Sequence, residues 1–90
     1  MQSAEQLFSE IRGKAVLAPM LATTDIPFRR ICREYGAAMT CTEMVSAAGI
    51  LRSSTRSFRN AVFSPDEHPI AVQLAVAHPQ DGAAAVAELQ

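Results

Sequence analysis

Only two cysteines occur in this 90-residue sequence, Cys32 and Cys41, and no CxxC spacing joins them. Neither a disulfide framework nor a thiolate metal site is written into such a chain. The first ten residues carry Glu5 and Glu10 and lack an apolar h-region, so no secretory leader is evident. No apolar run approaches the roughly 20 residues needed to cross a bilayer. No GxGxxG follows any strand-like segment, which lowers the open dinucleotide-binding sheet. Excess charge is missing too: a formal net charge of -1 argues against a protein held to nucleic acid by bulk electrostatics alone. Together these absences point to a reducing, cytoplasmic setting with both cysteines as free thiols, and away from membrane, secretion and metal.

What is present is ordinary globular material, 49% hydrophobic and 19% charged. The charge is unevenly spread. From Asp25 to Arg59 six arginines (29, 30, 33, 52, 56 and 59) outweigh three acids, for a local +3, whereas Ala61 to Gln90 holds four acids and no Lys or Arg. A solvated helix face accounts for such a cluster, and so does a surface turned towards RNA.

Residues 2–12 pattern as a short amphipathic helix closed by Gly13, with Leu7, Phe8 and Ile11 on one side. Ala15–Ala18 is a short unalternating apolar run between Gly13 and Pro19, the mark of a strand buried on both faces. Thr23, Thr24 or Asp25 can cap a following helix, with Pro27 in its first turn and Gly36 beyond its end. Its apolar stripe is Phe28, Ile31, Cys32 and Tyr35, and Arg29, Arg30 and Arg33 lie off it. Ala38–Thr42 is a second strand ending at Glu43. Residues 44–63 are helix-favouring, with Val45, Ala48 and Leu51 as one stripe and Phe58 and Val62 as another. Ser64–Glu67 is a turn, Ile70–Leu74 a third strand, and Pro79 opens a last helix with Ala83, Val86, Ala87 and Gln90 inward. Strands alternating with helices argue for a parallel α/β sheet, either open or closed into a (β/α)8 barrel. The pattern stops inside a helix, and three parallel strands leave open edges, so the expectation is either a piece of a larger protein or an edge covered by a partner.

In parallel α/β folds reactive groups collect at the carboxyl ends of strands. Those positions hold Pro19-Met20, Glu43 and Gln73. A Pro-Met pair offers a flat, soft surface, and Gln73 offers one amide donor and one acceptor, a set suited to a planar heteroaromatic ring. Core packing for Met20 and a polar rim cap for Gln73 fit the same residue types.

The string Ala18-Pro19-Met20-Leu21-Ala22-Thr23-Thr24-Asp25-Ile26-Pro27-Phe28-Arg29 resembles the first signature of the tRNA-dihydrouridine synthases. Similar blocks follow in order: Cys32–Ala37, Thr42-Glu43-Met44-Val45-Ser46-Ala47 and Pro69-Ile70-Ala71-Val72-Gln73-Leu74. The resemblance implies that residues 1–90 form the first three β/α units of a TIM barrel that binds FMN. It implies that Pro19, Met20 and the Leu21 backbone contact the flavin, and that Gln73 hydrogen-bonds the isoalloxazine edge. Glu43 and Met44 would lie near the entering base. The reaction so implied is reduction of the C5–C6 bond of uridines in tRNA with NADPH or NADH, hydride passing from FMN to C6 and a cysteine acid protonating C5.

That cysteine belongs to an N-x-GCP motif beyond residue 90, so neither Cys32 nor Cys41 takes the role, no catalytic residue is expected within the chain, and the chain alone should be inactive. There are departures inside the matched region as well. Leu21-Ala22 stand where the family has Ala-Gly, making the turn bulkier. Val76-Ala77 replace Gly-Ser, and His78 replaces a capping Asp, which should weaken the last helix start by about 1 kcal/mol. Two other readings compete: a different FMN-dependent barrel oxidoreductase, and a non-catalytic module contacting RNA through Arg52, Arg56 and Arg59.

Overall fold

A computed structural model describes residues 3–90; Gln2, the first residue of the expected amino-terminal helix, lies outside them. Among these residues the elements run α1 (Ala4–Ile11), α2 (Ile26–Glu34), β1 (Thr40–Cys41), β2 (Val45–Ser46), α3 (Ala47–Leu51), α4 (Thr55–Ala61), β3 (Ile70–Ala71), β4 (Leu74–Ala75) and α5 (Pro79–Leu89), with a 3-10 turn at Pro65–Glu67. None of the helices is long and apolar enough to cross a membrane.

The first expected strand is reduced to one parallel bridge, Val16 to Met39, flanked by Leu17 N–H to Met39 O at 3.0 Å and Ala38 N–H to Ala15 O at 2.9 Å. Val16 is exposed rather than buried on both faces. The second and third strands do pair in parallel, β1 with β3 and β2 with β4. Three extended segments thus lie side by side in chain order, joined by helical crossovers. The chain is a small parallel α/β unit.

Register within the second pair is broken. Cys41 opposes Ala71 and Val45 opposes Leu74, so Thr42-Glu43-Met44 face only Val72-Gln73. This is a bulge with one extra residue on the second strand. Buried Thr42 explains how it is held: its hydroxyl accepts from Gln73 N–H at 3.2 Å, in place of a main-chain carbonyl, and donates to Glu43 O at 3.0 Å.

The apolar core sits at the far end of the chain, where Val45, Ala47, Ile50, Ala61 and Ala85 are buried with Phe58, Val72, Leu74 and Leu89 packed against them. Helix α5 turns Ala85 and Leu89 inward, not the expected Ala83, Val86, Ala87 and Gln90, because small residues let it approach α3 closely. Likewise Ala47, Gly49 and Ile50 are the buried positions of α3, while Ala48 and Leu51 face out. Gly49 suits the position, since a Cβ there would press on the buried Ser57 side chain. As expected, His78 caps α5 without any side-chain hydrogen bond.

The largest departure from the sequence pattern is on α2. Ile31 is 52% and Tyr35 88% exposed, while Arg29, expected off the buried stripe, is only 2% exposed. The inward face is rotated so that a cation, not an aromatic ring, occupies the interior. Arg29 Nε lies 2.7 Å from Glu67 Oε1 and Nη2 3.2 Å from Oε2; Nη1 donates to Thr24 O at 2.7 Å and Nη2 to Val62 O at 3.2 Å. Every donor direction in use meets an acceptor, which is what makes burial of a guanidinium tolerable.

Candidate functional site at the strand ends

The turn after the first extended segment is built by Thr24. Its buried hydroxyl donates to Met20 O at 3.0 Å and accepts from Met20 N–H at 3.2 Å, while the amides of Thr23 and Thr24 both reach Met20 O at 3.0 Å. Asp25 then caps α2 through Phe28 N–H, with Pro27 in the first turn, as its position in the sequence implies. Closing so tight a loop puts Ala22 at φ +62°, a left-handed conformation that glycine adopts freely and alanine at a cost of about 1–2 kcal/mol. The bulk expected of Leu21-Ala22 is therefore a backbone strain at Ala22.

Two contacts pin this turn. Arg29, held by Glu67, grips Thr24 O from the interior. On the other side Glu43 reaches across from the bulge, and Ala22 N–H donates to its Oε2 at 2.5 Å. Burial acts to raise the Glu67 carboxyl, but hydrogen bonds from Arg29 and Ser64 N–H and the charges of Arg29 and Arg30 outweigh it, so Glu67 titrates below the ordinary glutamate range. It stays ionised as the anchor of Arg29.

The structure therefore brings the turn at Met20–Thr24 and Glu43 into direct contact, with the main chain of Gln73 next in line through Thr42 and Val45. Pro19 is half-buried; Met20 is 39% and Leu21 64% exposed. Met44 and Gln73 are exposed, and the Gln73 side chain has no hydrogen bond among the described residues. Among the described residues no hydrogen bond joins Gln73 to Pro19, Met20 or Leu21; the second strand lies between the first and third segments. Glu43 also lines a cleft of about 350 Å³ with Thr24, Asp25, Asn60 and Arg59.

Thr24, Arg29, Thr42 and Glu67 are supporting residues that pattern reasoning missed. Buried hydroxyls in a turn and a bulge, and a buried acid-base pair 38 residues apart, leave no periodic signal. Cys32 and Cys41 are free and half-buried, and burial pushes the Cys41 thiol up, away from nucleophilic use.

The family model described as "Dihydrouridine synthase (Dus)" matches residues 16–90. A protein of Aquifex aeolicus named "Probable tRNA-dihydrouridine synthase" is 40% identical over 70 residues, covering 78% of this chain and 22% of that protein. The "tRNA-dihydrouridine synthase B" of Pseudomonas putida is 40% identical over 75 residues, covering 83% and 22%. The "tRNA-dihydrouridine(47) synthase [NAD(P)(+)]-like" protein of Rattus norvegicus is 35% identical over 79 residues, covering 88% and 12%. The chain thus spans about a fifth or less of the length of these relatives. Matched along residues 16–90, this chain belongs to the dihydrouridine synthase family.

Proposed function

We propose that the chain is the first part of a TIM-barrel dihydrouridine synthase and supplies one wall of an FMN site. The observation that carries this is the exposed apolar pair Met20 and Leu21 on a doubly pinned turn, with the unengaged Gln73 amide opposite the bulge, between β3 and β4. Two strand spacings, about 10 Å, separate those positions, a span that a tricyclic ring can bridge. The donor set fits the group: apolar side chains for a ring face, and one amide able both to donate and to accept for a ring edge. The flavin, when bound, supplies the hydride chemistry that saturates a pyrimidine C5–C6 bond.

The chain's own residues would orient and shield. Pro19, Met20 and the Leu21 backbone lie against the ring, Gln73 fixes its rotation, and Met44 at the bulge covers the side where a uridine of tRNA enters. The proton donor and the NAD(P)H site lie outside these 90 residues, whose sequence holds no Gly-Cys-Pro, so the chain by itself reduces no uridine. Arg52, Arg56 and Arg59, exposed and without acid partners among the described residues, face the RNA.

The test is to graft residues 16–90 into the Aquifex relative in place of its matched segment. Flavin absorbance per mole of protein and dihydrouridine in unmodified tRNA, read by mass spectrometry, should both be retained. Gln73→Ala in the graft should weaken FMN retention by roughly tenfold to a hundredfold, as loss of a hydrogen bond worth about 1–3 kcal/mol in a dry pocket implies. Gln80→Ala, on the exposed first turn of α5, is the control. A folded graft without flavin, or equal flavin in the Gln73→Ala protein, would return Gln73 to a rim-capping role.

A further inference from the structure

Motif position alone puts Glu43 near the target base, yet its carboxylate is already engaged. We propose that Glu43 is a positioning residue that holds the Met20–Thr24 turn in its strained shape for the flavin, a role that rests on the FMN reading above. Three observations converge on it. The bulge at Thr42–Met44 inserts one extra residue where the second strand passes the turn, and bulges re-aim side chains. The re-aimed carboxylate accepts from Ala22 N–H, across 21 residues of sequence. Ala22 is the one residue of that turn at positive φ, where a main-chain conformation unfavourable for alanine needs external support.

The bulge is itself held from the third strand. Thr42 takes the Gln73 N–H and bonds the Glu43 main-chain oxygen, and the Glu43 carboxylate takes the Ala22 N–H, so Gln73, Thr42, Glu43 and Ala22 are linked across the three extended segments. Met20 and Leu21 are carried on the last link. A turn fixed in advance need not be ordered when the ring binds, and that saved ordering appears as flavin affinity. Glutamine can accept the same amide hydrogen through its carbonyl oxygen, and alanine cannot. Only a positioning role predicts rescue by glutamine in both the turn and the flavin.

The experiment uses the flavin-loaded protein that carries this chain. Amide exchange at Ala22 and the FMN dissociation constant are measured in Glu43→Ala and Glu43→Gln. Glu43→Ala should speed exchange at Ala22 and weaken FMN by roughly tenfold, the loss of one charge-assisted hydrogen bond. Glu43→Gln should restore both to within about threefold, since a neutral acceptor is the weaker one. Unchanged exchange and affinity in Glu43→Ala overturn the proposal. So does Glu43→Gln matching Glu43→Ala in affinity with Ala22 still protected, which would mean the charge acts on a bound group. If the wild type holds no flavin, the FMN reading fails, while exchange at Ala22 still reports whether Glu43 clamps the turn.

Discussion

Two groups of three arginines, close together in the sequence, have opposite fates. On α2, Arg29 is buried against Glu67, Arg30 meets Asp66 at 3.2 Å, and Arg33 donates to Ala38 O at 2.7 Å and His68 O at 2.8 Å. Arg52, just past α3, and Arg56 and Arg59 on α4 are exposed and pair with no acid among the described residues. Arg56 and Arg59 are three apart and share the face of α4 opposite buried Ser57 and Ala61. The first group is consumed by the fold and the second is available to a partner. A local charge of +3 spread over both therefore overstates the free positive charge near α2 and says nothing of where it is free.

The sharpest way to break this contrast is to remove one arginine from each group. Arg29→Ala leaves Glu67 charged, buried and unpaired, and frees Thr24 O, so it should cost about 3–5 kcal/mol in urea unfolding. Arg59→Ala should stay within about 0.5 kcal/mol, as exposed substitutions do. Replacing Arg29 and Glu67 together by methionine should recover much of the loss, because an apolar pair of similar volume needs no compensating charge. A small effect of Arg29→Ala would mean that the pair is not desolvated in solution.

Acid sharpens the same point. Glu67 titrates below its ordinary value, which lies at about 4.3 in an unfolded chain. The stability it contributes is fully present above that unfolded value and is lost as pH falls through the lowered folded value. The urea midpoint should therefore drop as pH is taken from 5 towards 2, and Glu67→Gln, already destabilised at pH 7, should flatten that drop. An equally steep drop in Glu67→Gln would assign it to other carboxylates, Asp66 among them, which hydrogen bonds from Ser64 and Arg30 also hold low.

Much of the architecture was legible because periodicity and capping are local. Asp25, Pro27, the turn at Ser64–Glu67 and the helix from Pro79 stand where their residue types require. The stripes were not legible on α2, α3 and α5, since a stripe read from hydropathy assumes that the core wants the largest apolar residues. Here Gly49 is buried against the Ser57 side chain and Ala85 within the core, and Arg29 is buried because Glu67, 38 residues away, waits for it. At the site the turn after the first extended segment, with Pro19 and Met20, stands where the sequence implies, whereas Glu43 and Gln73, expected at strand ends, lie within the bulge, before Val45–Ser46 and Leu74–Ala75 pair again. The hydrogen bonds that link them were not legible, because they depend on that bulge, a register fact visible only once two strands are paired.

The exposed group can be tested by its salt response. If Arg52, Arg56 and Arg59 meet RNA phosphates, changing all three to glutamine should shrink the slope of log affinity for tRNA against log salt by roughly two to three, with stability unchanged. An unaltered slope would make this group a solvated helix face and remove the RNA surface assigned to it.

The smallest effect is expected between the two groups, at Arg30. Its pair with Asp66 is real in geometry, yet the side chains are 51% and 67% exposed, so water and salt screen the attraction and both chains lose rotamer freedom in making it. Arg30 also donates to Ser64 Oγ at 3.0 Å, on the surface of the turn that carries Glu67. If pairing alone set the worth of an arginine here, Arg30→Ala should resemble Arg29→Ala; if burial does, it should resemble Arg59→Ala. We expect the second: a urea midpoint indistinguishable from wild type at 0.5 M salt and a shift barely resolvable at 0.01 M, where the Debye length is about 30 Å. A salt-independent loss close to that of Arg29→Ala would show that the Pro65–Glu67 turn depends on its surface contacts, and that the buried pair alone does not hold α2 in place.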